Sequence, residues 1–159
     1  MTIDEILNEL ISLQGVEYGP GAGPAEVSAA EHSLGASLPG SFKTYLSRVG
    51  WMSVGGDEYF GLGAGVAPFA DLVNVTQQER TDAWPPLPTH LIPLMNDGGG
   101  NHHCLDLSRA TTEDAPVVFW DHEHEDGPQQ VPSDWAPSFS AWLEVRLREA
   151  TDKASGEGG

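Results

Sequence analysis

The stretch from Leu91 to Glu125 gathers four of the six histidines and the only cysteine of this 159-residue chain. His122 and His124 stand two apart, so in a strand both imidazoles would face one side. With Asp121, Glu123 or Asp126 they offer a nitrogen and carboxylate set suited to zinc or iron. His102 and His103 are neighbours and would point to opposite faces of a strand, which limits what they can add. His122–Asp126 also reads as an exposed acidic turn, and neither HExxH nor CxxC accompanies it. A solvated loop with incidental histidines is the expected reading, and no cofactor or metal is assigned.

Other chemistry is weaker. Gly98-Gly99-Gly100 lacks the G-x-x-x-x-G-K-[ST] pattern of a phosphate loop, and Asp97 beside it opposes an anion. It reads as a tight turn. Gly61-Leu62-Gly63-Ala64-Gly65 fails the dinucleotide spacing G-x-G-x-x-G. There is no G-x-S-x-G elbow, and Cys104, between His103 and Leu105, reads as a buried inert thiol. No catalytic residue is assigned.

Charge is the strongest compositional signal. Seven Lys and Arg face twenty-four Asp and Glu, a net charge of −17. Between Arg109 and Arg146 there is no Lys or Arg, while Glu113–Asp134 holds seven acidic residues. Such a surface repels phosphate backbones and attracts basic proteins. The acidic candidates for a partner surface are Asp57, Glu58, Glu113, Asp114, Glu123, Glu125 and Asp126. Trp120 and Trp135 flank the acidic turn as candidate anchors. One cysteine excludes an intramolecular disulfide. The acidic N-terminus argues against a signal peptide, and no apolar run reaches membrane-spanning length, so a cytoplasmic protein is expected.

The elements that must position these residues follow from periodicity. Thr2–Leu13 is a predicted helix with a T-x-x-E capping box at Thr2 and Glu5. Pro24–Leu34 is a second, opened by Pro24 and stopped by Gly35. Pro39–Val49 is a third. Trp51–Val54 and Glu58–Leu62 read as strands around Gly55-Gly56-Asp57. Asp71–Asp82 is a fourth helix and Trp84–Pro88 a stiff connection. Leu91–Met95, His102–Leu107 and Val117–Asp121 are strands, with a short extension at Gln129–Val131. Ser138–Ala150 closes the domain, leaving 151–159 as a disordered tail. Helices, short strand connections and a final helix predict an α+β fold with a mainly antiparallel sheet and a C-terminal helix packed on it.

Several segments together resemble the SUKH superfamily, which includes bacterial immunity proteins and the fungal cell-wall assembly regulator. Glu31–Pro39 is similar to its E-x-x-L-G-x-x-L-P pattern, and Phe42–Leu46 followed by Gly50 to the helix after it. Tyr59-Phe60-Gly61-Leu62, Asp97–Asn101 with Cys104-Leu105-Asp106, and Val117–Glu123 are similar to the strand half. The resemblance covers about residues 25–147. It implies a domain without catalytic residues, with Gly98–Asn101 a structural turn and Asp106 and Asp121 fold determinants. It also implies an intracellular immunity protein that binds and neutralises a cognate toxin domain, often a nuclease or deaminase. The alternatives are a regulatory or scaffold interaction module, like the fungal members, and a metal-dependent enzyme using His122 and His124.

Overall fold

The structure, a computed structural model, describes residues 1–157. Seven strands form one antiparallel sheet in sequence order: β1 (Glu17–Tyr18), β2 (Met52–Val54), β3 (Asp57–Tyr59), β4 (Leu91–Asn96), β5 (His102–Asp106), β6 (Val117–Trp120) and β7 (Ser133–Ala136). Helices α1 (Ile3–Ser12), α2 (Pro24–Leu34), α3 (Gly40–Arg48), α4 (Leu72–Thr81) and α5 (Phe139–Glu157) complete the α+β fold.

Local rules explain most boundaries. Thr2 and Glu5 form the capping box of α1. Pro24 occupies the first turn of α2, and Gly35 ends it at φ 72°. Gly55 and Gly56, at φ 59° and 88°, make the two-residue turn that pairs Val54 with Asp57, the geometry that glycine suits at positive φ. At α5, Ser138 Oγ accepts the Ala141 N–H at 3.0 Å.

The main core lies where α1, α3 and α5 pack on one sheet face, around Ile6, Leu10, Phe42, Tyr45, Met52, Leu105, Val117, Phe139 and Trp142. Phe42 meets Phe139 edge-on at 5.1 Å, and Tyr59 packs on Trp142 at 5.3 Å. A second small cluster of Leu87, Leu91, Cys104, Val118 and Trp120 lies apart from it. Its Leu87 comes from the proline-rich connection. Strand β5, between β4 and β6, is therefore buried along its whole length.

Four boundaries differ from expectation. β3 ends at Tyr59 rather than Leu62. Gly61 crosses so close to Gly50 that a Cβ there would meet the Gly50 carbonyl, and Leu62 N–H bonds that carbonyl instead of a strand. Gln129–Val131 is not a strand. A 3-10 turn covers Gly127–Gln129, the Gln130 side chain folds inward onto Asp121, and the sheet resumes only after Pro132. Glu17–Tyr18, expected as loop, pairs with Met52 and Ser53. α5 continues past Ala150 to Glu157, so residues 151–157 of the expected tail are helical, and Gly158 and Gly159 lie outside the described residues.

Candidate functional site

A cleft of about 330 Å³ opens at one end of the sheet, between the β2–β3 hairpin, α4 and the β4–β5 turn. Strand alternation builds its first wall. Tyr59 points into the main core, so Glu58 and Phe60 face the other way and line the cleft; Asp57, on Tyr59's side of the strand, touches only its rim and also borders the hollow beside Tyr59 and Arg146. α4 builds the second wall. Asp71 caps it by accepting the Asn74 N–H at 3.0 Å. Its buried stripe of Leu72, Val75 and Thr76 carries Glu79, one turn beyond Val75, into the cleft. Phe69, on the 3-10 turn before α4, stands 67% exposed at the edge.

His102 of β5 forms the floor. It is only 3% exposed, yet among the described residues neither ring nitrogen has a hydrogen-bond partner. Its Nε2 lies 3.3 Å from Glu79 Oε1, off the line of the ring N–H but near enough to matter electrostatically. The imidazole is the main influence holding the Glu79 carboxyl below the usual carboxylate range. His103 faces the opposite side, where Trp142 Nε1 donates to its Nδ1 at 2.8 Å.

The acidic loop adjoins this cleft through the β4–β5 turn. Gly98 and Gly100 take φ 91° and 97°. Asn96 Oδ1 accepts the Gly98 N–H, and Asp97 Oδ1 accepts those of Gly99 and Asn101. Burial pushes the Asp97 carboxyl up, but these bonds outweigh it and leave it below the ordinary value. The turn's amides are thus occupied by its own side chains, which leaves no phosphate cradle. A Cβ on Gly100 would lie 2.8 Å from the His122 ring, so glycine here lets His122 pack onto the turn. Asn101 Oδ1 receives both the His122 backbone N–H at 3.1 Å and its Nδ1–H at 2.7 Å.

These contacts give both loop histidines structural work. His124 Nδ1 accepts the Asp126 N–H at 3.0 Å. Among the described residues no three His, Cys, Asp or Glu side chains converge to hold a metal ion. Cys104 is fully buried, and burial pushes its thiol far above the ordinary range, so it is inert.

The structure divides the candidate surface residues. Asp57 and Glu58 line the cleft. Glu123, Glu125 and Asp126 project from the neighbouring loop, Glu123 with 82% of its side chain exposed. Glu113 and Asp114 sit elsewhere, at the N-termini of α3 and α5. The Glu113 carbonyl accepts the Ser41 N–H. The Asp114 carboxylate accepts from Phe139 N–H at 2.8 Å and Ser140 Oγ at 2.7 Å, which makes it a cap more than a contact. Trp120 is corrected outright. It is 1% exposed in the small cluster and has no surface to offer a partner. Trp135, 52% exposed on edge strand β7, stacks on Phe119 at 5.4 Å and stays available. Glu79, Phe69 and His102 were not among the candidates. Only the i, i+4 step from Val75 to Glu79 hinted at a charge facing the sheet.

No helix among the described residues is long and apolar enough to cross a membrane. Eighteen chains of solved structures match the chain in fold. One, from a crystal structure of a protein from Pseudomonas syringae pv. tomato, superposes with a TM-score of 0.63 over 92% of this chain and 96% of that one, at 19% identity. That likeness establishes the fold alone. No curated protein sequence matches significantly. The SUKH_6 family pattern, described as SMI1-KNR4 cell-wall, matches residues 24–143. The chain therefore belongs to the SUKH_6 family, whose members are generally non-enzymatic and have an immunity or SMI1-KNR4-type protein-interaction role.

Proposed function

We propose that this chain is a cytoplasmic immunity protein that binds and neutralises a cognate toxin domain of basic, nuclease or deaminase type. One observation carries the reading. The carboxylates of Asp57, Glu58 and Glu79 in the cleft and of Glu123, Glu125 and Asp126 beside it have no Lys or Arg partner among the ion pairs of the described residues. A toxin that handles nucleic acid needs a basic surface for phosphates. An acidic inhibitor covers that surface by stoichiometric occlusion and is steered to it by the same field. Trp135 supplies an aromatic anchor at the far edge of the sheet. Glu113 adds to the overall field from the helical side.

The test is the association rate with the product of an adjacent toxin gene. Reversal of Glu123, Glu125 and Asp126 to lysine should slow association about tenfold or more at low salt, and flatten its salt dependence. An unchanged on-rate would remove this loop from the interface. The family description favours a second reading, a regulatory module of the SMI1-KNR4 kind. A gene neighbourhood without a toxin gene, together with capture of an endogenous regulatory partner, would select it.

A further inference from the structure

The cleft between α4 and the β2–β3 hairpin has a composition that the general acidity of the chain does not require. Two carboxylates, Glu58 and Glu79, meet two phenylalanines, Phe60 and Phe69, over a buried histidine, with Asp57 at the rim. Buried polar groups are nearly always hydrogen-bonded, and an exception calls for a reason. His102 is such an exception: 3% exposed, with both ring nitrogens unpartnered among the described residues. With Nε2 turned toward Glu79, Nδ1 is an acceptor without a donor.

We propose that this cleft is the anchor site for a basic side chain of the protein partner, an arginine in preference to a lysine. The inference rests on the proposed binding of a basic toxin and locates its central contact. Carboxylates on both walls exclude an anion. A bare metal ion does not suit a space of about 330 Å³ in which no three ligating groups converge among the described residues. A guanidinium suits it. It is planar, weakly hydrated, carries five N–H donors and stacks on aromatic faces. Glu58 and Glu79 accept its charge from opposite walls, and the exposed Phe69 ring closes over the plane. Desolvated arginines in pockets are common binding hot spots.

The probe is N-acetyl-arginine amide titrated into the full chain, followed by amide NMR shifts. Saturable shifts confined to Glu58, Phe69, Glu79, Gly98 and His102 are expected. Binding should be about threefold or more tighter than for N-acetyl-lysine amide, and absent for N-acetyl-leucine amide. Phe69→Ala and Glu79→Gln should each weaken it about fivefold or more, with the rest of the spectrum unchanged. Shifts that are diffuse, unsaturated or insensitive to both variants would overturn the site. The same two variants should weaken binding of the adjacent-gene toxin about tenfold, mainly by faster dissociation. Unchanged toxin affinity would overturn the anchor and leave the immunity reading standing. If the wild-type chain does not bind that toxin, the immunity reading falls, and the arginine titration alone decides whether the cleft takes a basic side chain.

Discussion

Acidification should weaken this fold through one buried imidazole, that of His103. The ring is 4% exposed between β5 and α5, 5.9 Å from Trp142 and 5.2 Å from Trp135. Its Nδ1 accepts the Trp142 indole N–H at 2.8 Å, so the neutral ring carries its proton on Nε2. A second proton would remove the acceptor and set one N–H against another. Burial first, and the Arg146 guanidinium second, push the His103 pKa from 6.5 down to about 4. The unfolded chain therefore binds this proton more readily than the folded one. Stability is fully present above pH 6.5, falls as the pH drops toward 4, and levels off below that. The whole gap is worth about 3 kcal/mol. Trp135 above the ring is half-exposed, so solvent screens part of it, and about 2 kcal/mol is the working figure. That corresponds to roughly 4–8 °C in Tm for a domain of this size. The assay is urea denaturation from pH 8 to 3.5, wild type against His103→Asn. Asparagine keeps an acceptor for Trp142 but does not titrate. Other carboxylates titrate in both proteins, so the difference between the two stability curves is the quantity to read. It should shift by about 2 kcal/mol in favour of the variant between pH 7 and pH 4. Parallel curves would refute the assignment of the proton-linked loss to His103.

The two tryptophans beside the acidic loop should separate cleanly. Trp120→Ala removes a fully buried indole from the Leu87–Leu91–Val118 cluster and should cost about 3–5 kcal/mol, read from the urea midpoint. Trp135→Ala should cost about 1 kcal/mol of stability but weaken toxin binding about tenfold or more. The reverse pattern would overturn the placement of both. Asp114→Ala removes the acceptor for Phe139 N–H and Ser140 Oγ at the start of α5. It should lower stability by about 1–2 kcal/mol while leaving toxin association unchanged. A slowed association would return Asp114 to the interface.

Elements set by local chemistry were legible, and contacts set by distant chain were not. The capping box of α1, the Pro24 start and Gly35 stop of α2, and the Gly55-Gly56 turn each rest on residues within one turn of each other. β5 shows the limit. Alternation separates His102 from His103, but cannot tell that α4 closes over one and α5 over the other, because Glu79 and Trp142 lie 23 residues before and 39 after. Trp120 misled for a related reason. It adjoins Asp121–Asp126, and a strand buried on both faces has no alternating signal to mark its last residue as internal. What covers it is Leu87 from a proline-rich connection, 33 residues upstream, whose path the sequence leaves open. β7 was displaced for the opposite reason. Gln130 reads as an exposed polar residue, yet its amide folds inward and bridges both backbone groups of Asp121.

The net charge of −17 takes on meaning once the carboxylates are sorted by what they bond. Glu5, Glu26, Glu31, Asp71, Asp97, Asp106, Asp114 and Asp121 each accept a backbone N–H, at helix starts, turns or loop ends. Those groups stabilise the free protein, and their charge is incidental to a partner. Asp57, Glu79, Glu123 and Glu125 carry no such bond to the backbone, and they gather around the cleft and the loop docked beside it. Glu58 bonds only the Ser53 hydroxyl, and Asp126 approaches only His124. On the proposed reading, a basic partner supplies the Lys or Arg groups that these carboxylates lack among the ion pairs of the described residues. The fold thus uses one set of acids to hold helix starts, turns and loop ends, while the proposed interface draws on a second set gathered at one end of the sheet; others, such as Glu9 on α1, Glu17 on β1 and Glu144 on α5, belong to neither.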